Sequence, residues 1–155
     1  MPYRWQTADF AQLCNDTLYT LLQLRQEVFV VEQACIYQDL DNLDQLATHM
    51  LCWEGGTLRA YQRCLRPGLS FSESSIGRIV VAPGARGTGL GRDLVRLGVE
   101  HNLARWPESG IRINAQAYLS KFYSELGFDP VGDEYDEDGI MHQQMVYRSP
   151  SRGTD

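Results

Sequence analysis

The chain has 155 residues, enough for one domain with a single sizeable core. Apolar residues make up 43% and charged residues 22%, which excludes a disordered chain, and a net charge of −6 without a basic stripe excludes a nucleic-acid-binding protein. No apolar run of about 18 residues could cross a membrane, and the opening MPYRWQTADF lacks the apolar stretch of a signal peptide, so a cytoplasmic location is expected.

In chain order, Tyr3 to Trp5 reads as a short strand. Asn15, Asp16 and Thr17 offer caps to a helix over 17–31, where Leu18, Leu21, Leu22 and Phe29 share one face. Arg25 falls on that same face, either ion-paired at the core edge or lining a cleft. Residues 32–44 (EQACIYQDLDNLD) break the period and read as a loop of solvated acids. Strands are predicted over 49–53 and 58–65 around a Gly55-Gly56 turn, and over 75–82. A helix over 89–104 follows, with Leu90, Leu94 and Leu97 on one face. A strand over 111–117 leads to a short helix over 118–126, which Gly127 ends. Strands over 128–132 and 142–148 flank an acidic turn at 133–139. The order predicts one α/β domain over 1–148, a mixed sheet with helices on both faces, and a frayed tail over 149–155. Cys14, Cys35, Cys52 and Cys64 are scattered with no C-x-x-C pair, so neither a metal site nor a disulfide framework is expected.

The most informative stretch is IGRIVVAPGARGTGLGRDLVRLGVE, residues 76–100. A β-branched run ends at Ala82-Pro83. Arg86, Gly87, Gly89 and Gly91 follow, and then a helical pattern. A strand, a glycine-rich turn and a helix N-terminus together hold a phosphate, because free N–H groups and the positive end of the helix dipole converge there. The spacing G-x-G-x-G departs from the dinucleotide fingerprint, and Gly91 is followed by Arg92-Asp93 rather than Lys-Ser/Thr. A glycine-rich turn without any ligand would carry the same glycines.

The pattern R-x-x-G-x-G (Arg86, Gly89, Gly91) resembles the pyrophosphate loop of the GNAT acetyltransferases, which bind acetyl-coenzyme A. QAYLSKFYSELGF, residues 116–128, resembles the second half of that family's signature, with Phe122, Tyr123, Gly127 and Phe128 in its F-Y-x-x-x-G-F positions. The strings LLQLRQEVFVVEQACIYQDLDNLD, IGRIVV, QAYLSKFY and EDGIMH are similar to the ElaA-like branch of the superfamily. This resemblance implies a GNAT-type, mostly antiparallel central sheet and an N-acetyltransferase. It also implies acetyl-coenzyme A as co-substrate, with no metal, and an amine acceptor. Superfamily members commonly pair, so a homodimer is a further expectation.

The resemblance carries over residue by residue. Arg86, Gly87, Thr88, Gly89, Leu90 and Gly91 would hold the pyrophosphate, mainly through main-chain N–H groups. Ile79, Val80 and Val81 would offer their backbone to the pantetheine arm as to an added strand, and an N–H near Val81 would meet the developing oxyanion. Gln116 stands where many members have asparagine, and Asn114 shares its face of the strand. Tyr123 occupies the general-acid position. Thiol and phenol ordinarily titrate near 8.5 and 10, so a hydrogen bond to the leaving thiolate is at least as fitting as full proton transfer. The base is open among Glu32, Asp39, Asp41, His49 and His142, or a water relay. A non-catalytic acyl-coenzyme A binding module is the alternative function. A third reading keeps acyl transfer with a longer chain, since Arg25, Val28 and Phe29 resemble a segment of acyl-homoserine-lactone synthases.

Overall fold

The structure is a computed structural model and describes residues 2–148. The tail expected to fray, 149–155, lies outside the described residues. Seven strands form one sheet: β1 (Tyr3–Asp9), β2 (Thr48–Glu54), β3 (Thr57–Leu65), β4 (Ser74–Val81), β5 (Ile111–Gln116), β6 (Phe128–Glu137) and β7 (Ile140–Tyr147). Their order is β1-β2-β3-β4-β5-β7-β6, and every pair is antiparallel except β4 with β5. Alternation sends successive side chains to opposite faces. Met50, Cys52, Ala60, Cys64 and Ile76 pack under α2 (Leu90–Arg105) and α3 (Ser120–Glu125). Leu51, Trp53, Leu58, Tyr61 and Val80 pack with Leu21, Leu24 and Val28 from the α1 side of the sheet (α1, Asn15–Arg25). Helices on both faces of a mostly antiparallel sheet are the expected architecture.

Three local expectations are corrected. Asn15 is already helical and Cys14 is the N-cap residue of α1. The first helix also changes winding at its end, because Gln26–Glu32 is a π-helical turn. Such segments are rare and leave no apolar period of their own. Residues 133–139 are not an acidic turn: β6 runs through Glu137, and only Asp138 and Gly139 separate it from β7. β6 is the edge strand of the sheet and is exposed from Pro130 onward except at half-buried Tyr135, so carboxylates are tolerable there.

The site depends on where β4 and β5 part. They pair only at Ser74↔Ile111 and Ser75↔Arg112, and beyond that their facing edges are open. The β3–β4 ladder shifts register between Tyr61 and Arg63, so that Arg78 and Ile79 together face Gln62. Arg78 takes a left-handed φ of +50°. This is a β-bulge, which bends β4 away from β5.

Candidate active site

A groove of about 980 Å³ follows the open edge of β4 from the loop before α2 to the β6–β7 hairpin. At one end the chain turns through Gly87 and Gly89, with φ of +79° and +85°. L side chains rarely adopt such angles, which accounts for glycine at both. Gly91 is different: a Cβ there would meet Val81 Cγ2 at 3.4 Å, an ordinary contact. Asp93 N–H is the first in α2 to find a carbonyl, that of Gly89 at 3.2 Å. Among the described residues, no main-chain acceptor engages the N–H groups of residues 87–92. They are the orphan donors of a helix N-terminus, joined by those of the loop before it. Thr88 braces the turn, its hydroxyl donating to Ala85 O at 2.7 Å. These donors, with the dipole of a 16-residue helix behind them, fit a diphosphate.

Along the groove, Ile79, Val80 and Val81 are all lining residues. Ala82 N–H donates to Arg59 O at 2.8 Å. Alternation along the antiparallel ladder therefore turns the main-chain groups of Val81 toward β5. Its carbonyl accepts from Arg86 Nε at 3.1 Å, and its N–H is aimed into the groove. Asn114 and Gln116 face the groove from β5, but their side chains are committed elsewhere. Asn114 Oδ1 accepts the Tyr135 hydroxyl, and Asn114 Nδ2 donates to Glu137 Oε2 at 3.2 Å. Gln116 Nε2 donates across the groove to Gln33 Oε1 at 3.2 Å.

Tyr123 lines the groove from α3 with its ring held edge-on between Phe122 (5.1 Å) and Phe128 (6.0 Å). The F-Y-x-x-x-G-F spacing is thus an aromatic clamp. Among the described residues nothing hydrogen-bonds its hydroxyl. Burial pushes the phenol above its ordinary titration range, so it is suited to donating a hydrogen bond rather than giving up a proton.

The five base candidates separate clearly. His49 is fully buried, with Nε2–H donating to Asp44 O at 2.8 Å and Nδ1 accepting the Tyr61 hydroxyl. It belongs to the core, where burial lowers its pKa. Asp39 is buried between Arg25 (2.9 Å) and Arg78 (2.7 Å). Burial works to raise Asp41, but hydrogen bonding and charge from Arg63 and charge from Arg78 outweigh it and hold the pKa at about 2. Glu32 lines the groove, yet both of its oxygens hold Arg86, at 2.6 and 2.9 Å, and this pairing keeps it below the usual carboxylate range. His142 alone keeps an acceptor free of any cation. Its Nδ1 lies 2.7 Å from Ile140 O, a carbonyl that can only accept, so the proton sits on Nδ1 and Nε2 carries the lone pair. It shares a cross-strand row with Gln116 and Tyr135.

The acids of 32–44 are therefore not simply solvated loop charges. Arg25, fully buried, binds Asp39 and Asp44, while Arg63 binds Asp41 and Asp44 and Arg78 binds Asp39 and Asp41. Three guanidiniums balance three carboxylates and fix the loop beside the groove. Of the two readings of Arg25, ion pairing is the one found. Sequence reasoning missed Gln33, Arg78 and Glu137 as groove residues. The only signal available for Glu137 is its two-residue spacing from Tyr135, which puts both on one face of β6.

The open wedge, the donor-rich turn and the clamped tyrosine define an acyl-coenzyme A-dependent acyltransferase fold. The chain belongs to the GNAT acetyltransferase family: the Acetyltransferase (GNAT) domain matches residues 17–149. Within it the chain is ElaA-like. It is 41% identical to Protein ElaA of Escherichia coli over 92% of this chain and 94% of that protein. The crystal structure of E. coli ElaA superposes with a TM-score of 0.89, covering 95% of this chain and all of that one. An acyl-CoA N-acyltransferase from Pseudomonas aeruginosa gives the same TM-score at 39% identity, covering 95% of this chain and 100% of that one. A UPF0039 protein of Synechocystis is 40% identical over 99% of this chain and 100% of its own length.

Proposed function

We propose that the protein moves an acetyl group from acetyl-coenzyme A to a primary amine by direct attack on the thioester. The observation that carries this is the groove itself: an unpaired β4 edge running from six N–H groups toward a tyrosine hydroxyl, none of which has a partner among the described residues. The diphosphate lies on the N–H groups of residues 87–92. The pantetheine arm pairs with the groove edge of Ile79–Val81, and groove-facing N–H groups of β4 take the charge growing on the carbonyl oxygen. His142 Nε2 accepts the proton that the acceptor ammonium must lose, directly or through water. The amine lone pair then forms the C–N bond, the C–S bond breaks, and the Tyr123 hydroxyl hydrogen-bonds the departing thiolate. The second proton leaves from nitrogen; of the two protons lost, one reaches the thiolate and one passes to solvent, so the products are an amide, coenzyme A as its thiol and one proton.

The test is release of thiol from acetyl-coenzyme A across a panel of primary amines, with butyryl and octanoyl thioesters run alongside. Transfer to at least one amine, fastest with acetyl, is the expected result. Saturable binding of the thioester with no transfer to any amine would instead favour a binding module.

A further inference from the structure

The cations lining the groove all have partners. Arg63 and Arg78 meet aspartates, Arg86 holds Glu32, and Arg92 stands 3.8 Å from Glu125. The wall formed by the β6–β7 hairpin is the opposite case. Residues 133–138 include five exposed carboxylates (Asp133, Glu134, Asp136, Glu137 and Asp138). Among the described residues no arginine or lysine pairs with any of them. Glu137 and Asp138 border the groove itself.

His142 gives this acidic rim a focus. His142 is 9% exposed as a residue and 11% at its side chain, and its Nε2 lies 3.9 Å from Glu137 Oε2. Neither atom carries a proton when the ring is neutral, so the two acceptors face each other without a bond. A donor with two hydrogens completes both. A nitrogen about 2.8–3.0 Å from each atom fits a gap of that width. The carboxylate is also held in place, since the Tyr135 hydroxyl donates to Asn114 Oδ1 and Asn114 Nδ2 donates to Glu137 Oε2 at 3.2 Å.

We propose that the acceptor is a primary amine bearing a second positive charge, a diamine or polyamine. Its reactive nitrogen sits between His142 Nε2 and Glu137 Oε2, and its second charge lies along Asp138 and the hairpin rim. The inference rests on the transfer reaction proposed above and names its substrate class. An acceptor with a carboxylate in place of the second ammonium would meet the same rim with the wrong sign, and no groove-lining arginine is free of a carboxylate to receive it.

Three amines of matched length test the seat: butylamine, 1,4-diaminobutane and 4-aminobutyrate. Expected kcat/KM falls in the order diamine, monoamine, amino acid, with about tenfold between the first two at low salt and a smaller ratio at 0.5 M NaCl. Glu137→Gln should raise KM for the diamine about tenfold while KM for acetyl-coenzyme A stays constant, which also reports that the variant is folded. Asp138→Asn, at an exposed turn, should lower the diamine preference by itself. Equal rates for the three amines, or a preference for 4-aminobutyrate, overturns the inference and leaves the transfer reaction standing. No thiol release with any amine overturns the transfer reaction and the substrate class with it.

Discussion

Replacing Tyr123 by phenylalanine removes one hydroxyl and leaves the ring. The edge-on packing against Phe122 and Phe128 is unchanged by that substitution, and no group among the described residues loses a hydrogen bond. Stability should therefore move by no more than about 1 kcal/mol, or roughly 2–4 °C in Tm for a domain of this size. The reaction should respond differently. A hydrogen bond to a charged partner contributes about 1.5–3 kcal/mol, and the thiolate is charged only as the C–S bond breaks. Tyr123→Phe should thus lower kcat roughly 10- to 150-fold and leave the affinity for coenzyme A within about twofold. A thiol-release assay gives kcat, a calorimetric titration gives affinity, and a thermal melt gives stability. Unchanged kcat would remove Tyr123 from the chemistry. A large fall in Tm would make it a packing residue instead.

Other outcomes follow from the same contacts. Arg25→Met strands two buried carboxylates, although Asp39 keeps Arg78 at 2.7 Å and Asp44 keeps Arg63 at 3.0 Å. That sharing sets the cost at about 3 kcal/mol, the lower end for a broken buried pair, read as a lower denaturation midpoint at constant m; a loss under about 1 kcal/mol would contradict the network. Glu32→Gln frees the Arg86 guanidinium, so coenzyme A should bind a fewfold tighter at low salt, and weaker binding would show that the pair organises the loop. Acid should unfold the protein in a defined window. Because the folded pKa of Asp41 is depressed to about 2, its contribution is complete above about pH 4 and is lost as the pH falls toward 2. That loss amounts to about 2 kcal/mol and should shrink in Arg63→Met. A melt independent of pH between 4 and 2 would contradict it.

The parts of the site that sequence reasoning found are those written in short windows. Residues 86–91 need left-handed glycines beside a helix start, and 122–128 carry their aromatic clamp within seven residues, so each reads locally. The parts it missed are made by distant residues meeting. Asp39, Asp41 and Asp44 look like loop acids until Arg25, Arg63 and Arg78 arrive from α1, β3 and β4. The π-helical turn at Gln26–Glu32 shifts the residues after Arg25 without altering composition. Glu137 was hidden because five acids in six residues suggest a turn, whereas β7 pairs with that stretch through Tyr135, Asp136 and Glu137. Asn114 lines the groove, and its bonds to Tyr135 and Glu137 depend on a strand that composition alone does not reveal.

The most direct measurement is a crystal structure with coenzyme A bound. Its diphosphate oxygens should lie within hydrogen-bond distance of the main-chain nitrogens between Gly87 and Arg92, with the pantetheine chain along Ile79–Val81 and its sulfur near the Tyr123 hydroxyl. Coenzyme A found outside the space between β4 and β5, or bound with its sulfur remote from Tyr123, would contradict the assignment of the groove.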